Sequence, residues 1–380
     1  MQKINVIDKR KGMQKTLLNS QLEERDIPSL FKISNGQNIR TKEEWEKLAR
    51  PYWKNCLLQE EYGFFPKYVK PDITAKINPN YIDFAGKANW QEVSFTFKVD
   101  DKEHTVPTQL ILPNNKKPLA VFVYLNFRPQ IPDRYLPVEE IIDNGFGIFS
   151  VCYNDITTDN GDFTNGLAGL FKVGERKGSD CGKLIYWAYM ASHMMDYLLT
   201  REEVSGVPIG IGGHSRLGKT ALLVGAFDER FDFVCSNESG CSGASLSRGV
   251  CEGGEKVEFI CNKFPYWFNQ NYLKYSGNEQ SMPFDQHCLI SLIAPRAVCV
   301  GGALDDVWAD NDNQFLSCYS ASKIWDLYGE KGLISPDKLP ELGDKFIDGK
   351  VGFFLREGTH FHSRTDWLAY MEFVKNVVVK

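Results

Sequence analysis

The sequence predicts a three-layer α/β fold, with a mostly parallel central sheet flanked by helices on both faces. Three observations predict it. Continuous apolar runs such as LAVFVYLNF and FGIFSVCY read as strands buried on both faces. Strand-like and helix-like stretches alternate from about residue 119 to the end, the pattern of a parallel sheet with crossover helices. The 380-residue chain is 43% apolar and 13% aromatic, ample for a sizeable core.

Each element follows in order. Residues 1–60 are charged and helix-prone, with an amphipathic stretch over Lys42–Glu61. From Ile73 to Leu112 the pattern alternates, as in VSFTFKVD and TVPTQLIL, and predicts antiparallel strands. LAVFVYLNF is the first buried strand, Pro137–Asn144 a helix, and FGIFSVCY the next strand. An aromatic-rich loop spans Asn154–Phe171. Lys183–Leu199 is strongly helical, VPIGIGG a short strand, and Arg216–Ala226 helical again. FDFVCSN, RAVCVGG and VGFFLRE are strands, and a helix over Thr365–Val378 closes the chain. The division expected is a helical extension over residues 1–70, packing on a domain over 71–380.

Composition excludes several classes. Lys and Arg number 44 against 49 Asp and Glu, a net charge of −5, so no basic surface for nucleic acid is implied. No apolar run is long enough to span a membrane. The first twenty residues are charged throughout and do not read as a signal peptide. The ten cysteines form no CxxC pair, and several, including Cys152 and Cys299, sit inside apolar runs, so free buried thiols are expected.

One segment carries two chemical readings. Gly210–Thr220, GIGGHSRLGKT, matches a phosphate-binding P-loop through Gly213, Gly218, Lys219 and Thr220. It also matches a nucleophile elbow, with Gly213 two residues before Ser215. The usual elbow has Gly two residues after the serine; here Leu217 stands there and Gly follows at 218. Taken alone, the P-loop match is the cleaner. Context favours the elbow: a P-loop usually follows the first strand of its domain, whereas about 210 residues precede this one. The elbow further demands an acid and then a histidine after later strands. Glu238, Asp305, Asp306 and His360 stand at such strand ends. The set therefore predicts an α/β-hydrolase fold and a serine nucleophile.

These residues, together with RPYWKNCLLQEEYGFFP, GHSRLGKTALLVGAFDERFDFVCSNESGCSGASLSR, FDQHCLISLIAPRAV, DDVWAD and GTHFHSRTDWLAYMEF, resemble carbohydrate esterase family 15, the glucuronoyl esterases, in their bacterial form. The resemblance runs from about Trp45 to Phe373. It implies an esterase of the α/β-hydrolase fold that cleaves 4-O-methyl-glucuronoyl esters joining xylan to lignin alcohols, without metal or cofactor, and a secreted or periplasmic setting. It implies Ser215 as nucleophile and Arg216 as the oxyanion group, through its backbone N–H and guanidinium. Lys219 and Glu255 would bind sugar hydroxyls, and Trp308 would contact the sugar. His360 would be the base, with Glu238 or Asp306 as its acid. Another carbohydrate or acetyl-xylan esterase, a nucleotide hydrolase and a non-catalytic binding protein are the alternatives.

Some residues are harder to place. His362 lies two residues beyond His360, so alternation cannot choose between them; the family spacing to Asp366 and Trp367 selects His360. His287 reads as a structural histidine bonding a loop carbonyl, His214 as packing beside the nucleophile, and Trp267 as core or a sugar platform. Crowding of Asp306 by Asp305 and Asp310 favours Glu238 as the main acid. Two departures from the family stand out. Arg128-Pro129 follows Asn126-Phe127 where glycines are common, and Ala309–Phe315 reads ADNDNQF where A-D-P-x-G-E-F is usual.

Overall fold

A computed structural model describes residues 17–34, 36–78, 84–114, 116–171 and 174–379. Its centre is a ten-stranded sheet in the order β1-β2-β3-β5-β4-β6-β7-β8-β10-β9. The strands are β1 Asp72–Ile77, β2 Ala88–Val99, β3 Lys102–Pro113, β4 Val121–Asn126, β5 Gly147–Cys152, β6 Ile209–His214, β7 Phe233–Asn237, β8 Ala297–Ala303, β9 Lys345–Phe346 and β10 Val351–Arg356. Pairing is parallel from β5 through β4, β6, β7 and β8 to β10. It is antiparallel through β1, β2, β3 and β5, and again between β9 and β10.

Side-chain burial follows the pairing. The strand β4 is buried at all six residues, whereas β2 alternates between buried and exposed positions. Along β4, Val121, Val123 and Leu125 enter one apolar cluster with the helices Lys183–Leu198 and Arg216–Phe227. Phe122 and Tyr124 enter the cluster on the other face, with the helices Val138–Asp143 and Arg364–Val377. Those two clusters are the interfaces of the three layers.

Described residues before β1 contribute to the first cluster. Leu18, Leu22, Trp45, Trp53, Leu57 and Tyr62 are buried in it. Arg50, 5% exposed, donates through Nη1 to Leu292 O at 2.9 Å, and Asn269 N donates to Glu61 O at 2.8 Å, so a side-chain and a backbone bond tie this segment to later parts of the chain.

Two elements have no counterpart in the sequence pattern. The strand β9 has two residues, too few for an alternation to show. The helix Asn311–Ser322 buries eight of its twelve residues, polar Asn313, Gln314 and Ser317 among them, so it carries no apolar stripe to mark it. The ten cysteines are free thiols, and none of the helices is long and apolar enough to cross a membrane among the described residues.

All the parallel strands point their C-terminal ends the same way. Ser215 follows β6, Glu238 follows β7, Asp306 lies three residues past β8 and His360 four past β10. A parallel sheet gathers ligands and reacting groups at that edge, because the loops there converge from several strands.

Candidate active site

Ser215 occupies the turn between β6 and the helix Arg216–Phe227 with φ 57° and ψ −127°, a conformation rare for a residue with a Cβ. The surroundings enforce it. Ser215 N donates to Asn237 O at 2.8 Å, while Ser215 O accepts from Gly218 N at 2.8 Å and Lys219 N at 3.1 Å. A Cβ at Gly213 would lie 2.2 Å from Leu217 O, so only glycine lets the helix start so close to its strand. A Cβ at Gly218 would meet Gly213 O, Asn237 O and Ser236 Oγ, each at 3.1 Å. The glycine displaced from position 217 to 218 thus sits at the helix–strand crossing, and Leu217 is free to be a fully buried core residue. The same bonds disfavour a phosphate cradle, since the amides of Ser215, Gly218 and Lys219 already donate to protein carbonyls.

His360 shares one cavity of about 410 Å³ with Ser215, Arg216, Lys219, Glu238, Glu255, Asp306 and Trp308. His360 Nδ1–H donates to Asp306 Oδ2 at 2.6 Å, and Glu238 Oε2 lies 3.2 Å from the same nitrogen. Burial alone would depress the imidazole pKa, but the two carboxylates outweigh it and raise it to about 9. Glu238 itself is fully buried and is pushed up to about 7 by that burial, against the pull of His360 and Arg356. Its other bonds come from Arg356 Nη2, at 2.6 Å to Oε1, and Phe361 N, at 3.1 Å to Oε2.

The order of distances is opposite to the order of importance expected for the two acids. Asp306 is the nearer, and Glu238 is partly committed elsewhere. The charge crowding argued from sequence does not arise, because the neighbouring aspartates turn away. Asp305 is exposed, and Asp310 caps the helix Asn311–Ser322, accepting from Asn313 Nδ2 at 2.7 Å and Cys251 N at 2.9 Å.

The other histidines divide cleanly. His362 is 2% exposed, bonds the Tyr124 hydroxyl through Nδ1 at 2.8 Å and stacks on Trp367. Its pKa is lowered to about 3, first by burial and then by Arg356. His214 Nδ1 pairs with Asn237 Oδ1 at 2.7 Å, and burial holds the ring well below the usual imidazole range. His287 Nε2 bonds Pro28 O at 2.8 Å, the loop carbonyl expected of it. Among the described residues, donor atoms of His214, Glu238 and His360 lie within 4.8 Å of one another. They make a poor metal site: His214 Nδ1 is engaged by Asn237, and the Arg356 guanidinium on Glu238 opposes a second cation.

The lining residues meet their expectations unevenly. Lys219 was expected to offer its ammonium to sugar hydroxyls. That ammonium is 4% exposed and already donates to Ser239 O at 2.6 Å, to Cys241 O, and to Glu255 Oε2 at 3.4 Å. With three N–H groups and three partners, it reaches a ligand only by sharing a bond, the long one to Glu255 being the weakest. Glu255 N donates to Trp308 O at 2.9 Å, so the three lining residues form one linked unit. Trp308 is 44% exposed, with the Phe259 ring edge-on at 4.6 Å. The Arg216 guanidinium is paired with Asp159 and lies 4.8 Å over the Trp267 ring. Arg128, in place of a glycine, forks onto Asp133 at 2.5 and 3.0 Å and lies 4.4 Å over Tyr135, which stiffens the loop after β4.

A family model described as glucuronyl esterase, fungi, matches residues 96–329. The chain belongs to the glucuronoyl esterase family. A carbohydrate esterase designated MZ0003, from an unknown prokaryotic organism, is 36% identical over 239 residues, covering 62% of this chain and 54% of that protein. The 4-O-methyl-glucuronoyl methylesterase of Podospora anserina is 25% identical over 309 residues, covering 79% of this chain and 60% of that one. The chain thus spans between half and two thirds of the length of these curated relatives. Among solved structures, a glucuronoyl esterase from Solibacter usitatus superposes with a TM-score of 0.84 at 31% identity, covering 92% of this chain and 97% of that chain. One from Teredinibacter turnerae has a TM-score of 0.83 at 29% identity, covering 98% and 92%. The family's α/β-hydrolase fold is therefore the fold of this chain.

Residues that sequence reasoning passed over complete the site. Arg356 ends β10 and bridges two fully buried carboxylates, Glu238 at 2.6 Å and Asp366 at 2.7 Å. An arginine closing an otherwise apolar strand, VGFFLR, was the one available signal. Asp159, Phe259 and Phe264 lie in loops or short helices, where no periodicity marks them.

Proposed function

We propose that this protein is a serine esterase that hydrolyses glucuronoyl esters, with the 4-O-methyl-glucuronate links between xylan and lignin alcohols as the substrate class. One observation carries the reading: a serine on a strained elbow opens onto the same cavity as a histidine held by a carboxylate at 2.6 Å. Relatives named 4-O-methyl-glucuronoyl methylesterase supply the substrate class.

The chemistry follows from the arrangement. Ser215 Oγ attacks the ester carbonyl and passes its proton to His360 Nε2. Asp306 accepts the Nδ1–H bond, which fixes the tautomer and steadies the imidazolium that forms, and Glu238 adds a second negative charge on the same side. Negative charge grows on the carbonyl oxygen. The Arg216 backbone N–H, at the first position of its helix, has no intrahelical acceptor, and with the Arg216 guanidinium it stabilises that charge. His360 then returns the proton to the departing alcohol. A water activated by His360 releases glucuronate and restores Ser215. The esterified carboxyl arrives uncharged, so Glu255, Trp308 and the shared Lys219 bond would read ring hydroxyls and the sugar face rather than a charge.

The test is turnover of a benzyl glucuronate ester against a simple acetyl ester, with Ser215→Ala as control. A marked preference for the glucuronate ester, abolished in the variant, is expected. Equal turnover of the two esters would put this protein among less selective esterases.

A further inference from the structure

We propose that Asp159 is a positioning residue of this site, fixing the Arg216 guanidinium and the Trp267 indole as one wall of the cavity and balancing the arginine's charge. The proposal rests on the serine esterase reading above. Asp159 lies in the loop after β5, remote in sequence from Ser215 and from both acids.

Three donors converge on its carboxylate, which is 9% exposed. Oδ1 accepts from Trp267 Nε1 at 2.6 Å. Oδ2 accepts from Arg216 Nη1 and from the Tyr153 hydroxyl at 3.3 Å. The guanidinium lies among three rings, 4.8 Å from Trp267, 5.5 Å from Phe264 and 5.6 Å from Phe127. Trp267 and Phe264 are parallel with centroids 4.0 Å apart. The loop holds the carboxylate in turn: Asp159 N donates to Asn154 Oδ1 at 3.1 Å, and Thr158 N to Asn165 Oδ1 at 3.1 Å.

Two consequences follow. An oxyanion donor is effective only if it is aimed before charge develops, and the Arg216 side chain, 25% exposed at a cavity wall, would otherwise sample several rotamers. Asp159 removes that freedom. It also neutralises the arginine. A bare guanidinium in this wall would hold the product, a glucuronate carboxylate, and slow its release; the Arg216–Asp159 pair carries no net charge and lets it go.

Asp159→Asn separates these effects from simple loosening, because the amide oxygen can still accept from Trp267 while the charge is lost. We expect kcat on a benzyl glucuronate ester to fall roughly tenfold to a hundredfold, less than the 10²–10³ typical of deleting an oxyanion donor outright. KM should change no more than about threefold, and free glucuronate should inhibit several times more tightly, which a merely structural defect would not produce. Combined with Arg216→Ala, the losses should not multiply. A kcat within twofold of wild type, unchanged or weaker product inhibition, or multiplicative losses would each overturn the proposal. If the wild type does not turn over the glucuronate ester, the substrate reading has failed. The role of Asp159 is then read from the rate at which a fluorophosphonate labels Ser215, about tenfold slower in Asp159→Asn if the proposal holds and unchanged if it does not. Should Asp159→Asn not fold, Trp267→Phe deletes the indole donor and keeps a stacked ring. A two- to fivefold fall in kcat there supports the proposal, and an unchanged kcat overturns it.

Discussion

Behind His360, two buried carboxylates converge on its Nδ1 and one of them also binds the Arg356 guanidinium, whereas at the rim Trp308 and Phe259 are 44% and 38% exposed. The back is over-determined. Removing Asp306 leaves Glu238 3.2 Å from the same nitrogen, and the loop bearing His360 stays pinned through Phe361 N on Glu238 and Arg356 on Thr359 O. The rim is held by ring edges and one backbone bond, so its side chains can vary without disturbing the sheet. The contrast teaches that the acids and the arginine at the sheet edge are buried and interlocked, while the aromatic side chains of the rim stand where substitution is cheap.

The comparison can be broken by mutation, starting with the largest effect. Ser215→Ala should abolish ester hydrolysis, a fall in kcat on the order of 10⁴–10⁶, while the melting temperature holds. Retention of a tenth of wild-type activity would sink the assignment of the nucleophile.

Next come the acids. By distance, Asp306→Asn should cost more than Glu238→Gln, up to the order of 10⁴ in kcat, because it leaves the imidazole without its shortest bond. The double variant should lose less than the product of the two single losses, since both act through one ring. If Glu238→Gln alone is crippling and Asp306→Asn near wild type, then Glu238 leads, as the sequence suggested.

The pH profile sharpens the same point. His360 must be neutral to accept a proton, and its pKa is raised to about 9. The rate constant kcat/KM should therefore climb with pH through neutrality, with its midpoint near that value and its plateau above it. Either acid-to-amide change removes a charge that raises the imidazole pKa, so the rising limb should shift to lower pH. Because His360 and Glu238 interact, the observed midpoint belongs to the cluster. A limb that stays in place in both variants would mean the carboxylates do not set the base.

Lys219→Ala lies between back and rim. It strands Glu255 and two buried carbonyls, so a loss of about 3 kcal/mol of stability is expected, read as a lowered melting temperature. Glucuronate esters should suffer more than acetate esters; equal losses would make Lys219 purely structural. The smallest effect should be Trp308→Ala, raising KM for the glucuronate ester roughly tenfold with little change in melting temperature, since the residue is 44% exposed at the rim. A drop in stability there would show that the rim is not the loosely built region described.

Much of the molecule was legible in one dimension. The apolar runs, the helical periods and the elbow around Ser215 are local patterns, repeated every two or 3.6 residues or compressed into a few positions. So are the strand-end positions of Glu238, Asp306 and His360. What stayed hidden is non-local. His360 and His362 share one alternation, and only packing separates a ring at the cavity from one stacked on Trp367. Asp310 looked like a charge crowding Asp306 until its side chain proved to cap a helix that has no apolar stripe.

The sequence by itself determined the order of the layers and the residue types available at the sheet edge, because periodicity and turn chemistry are written locally. Tertiary structure alone decided which acid lies nearest the imidazole, how far Lys219 is already satisfied, and which side chains Asp159 and Arg356 hold. Those are matters of distance between chain segments dozens to more than a hundred residues apart, and a hydrogen bond or a desolvated charge is worth something only once the fold has brought its partner within about 3 Å.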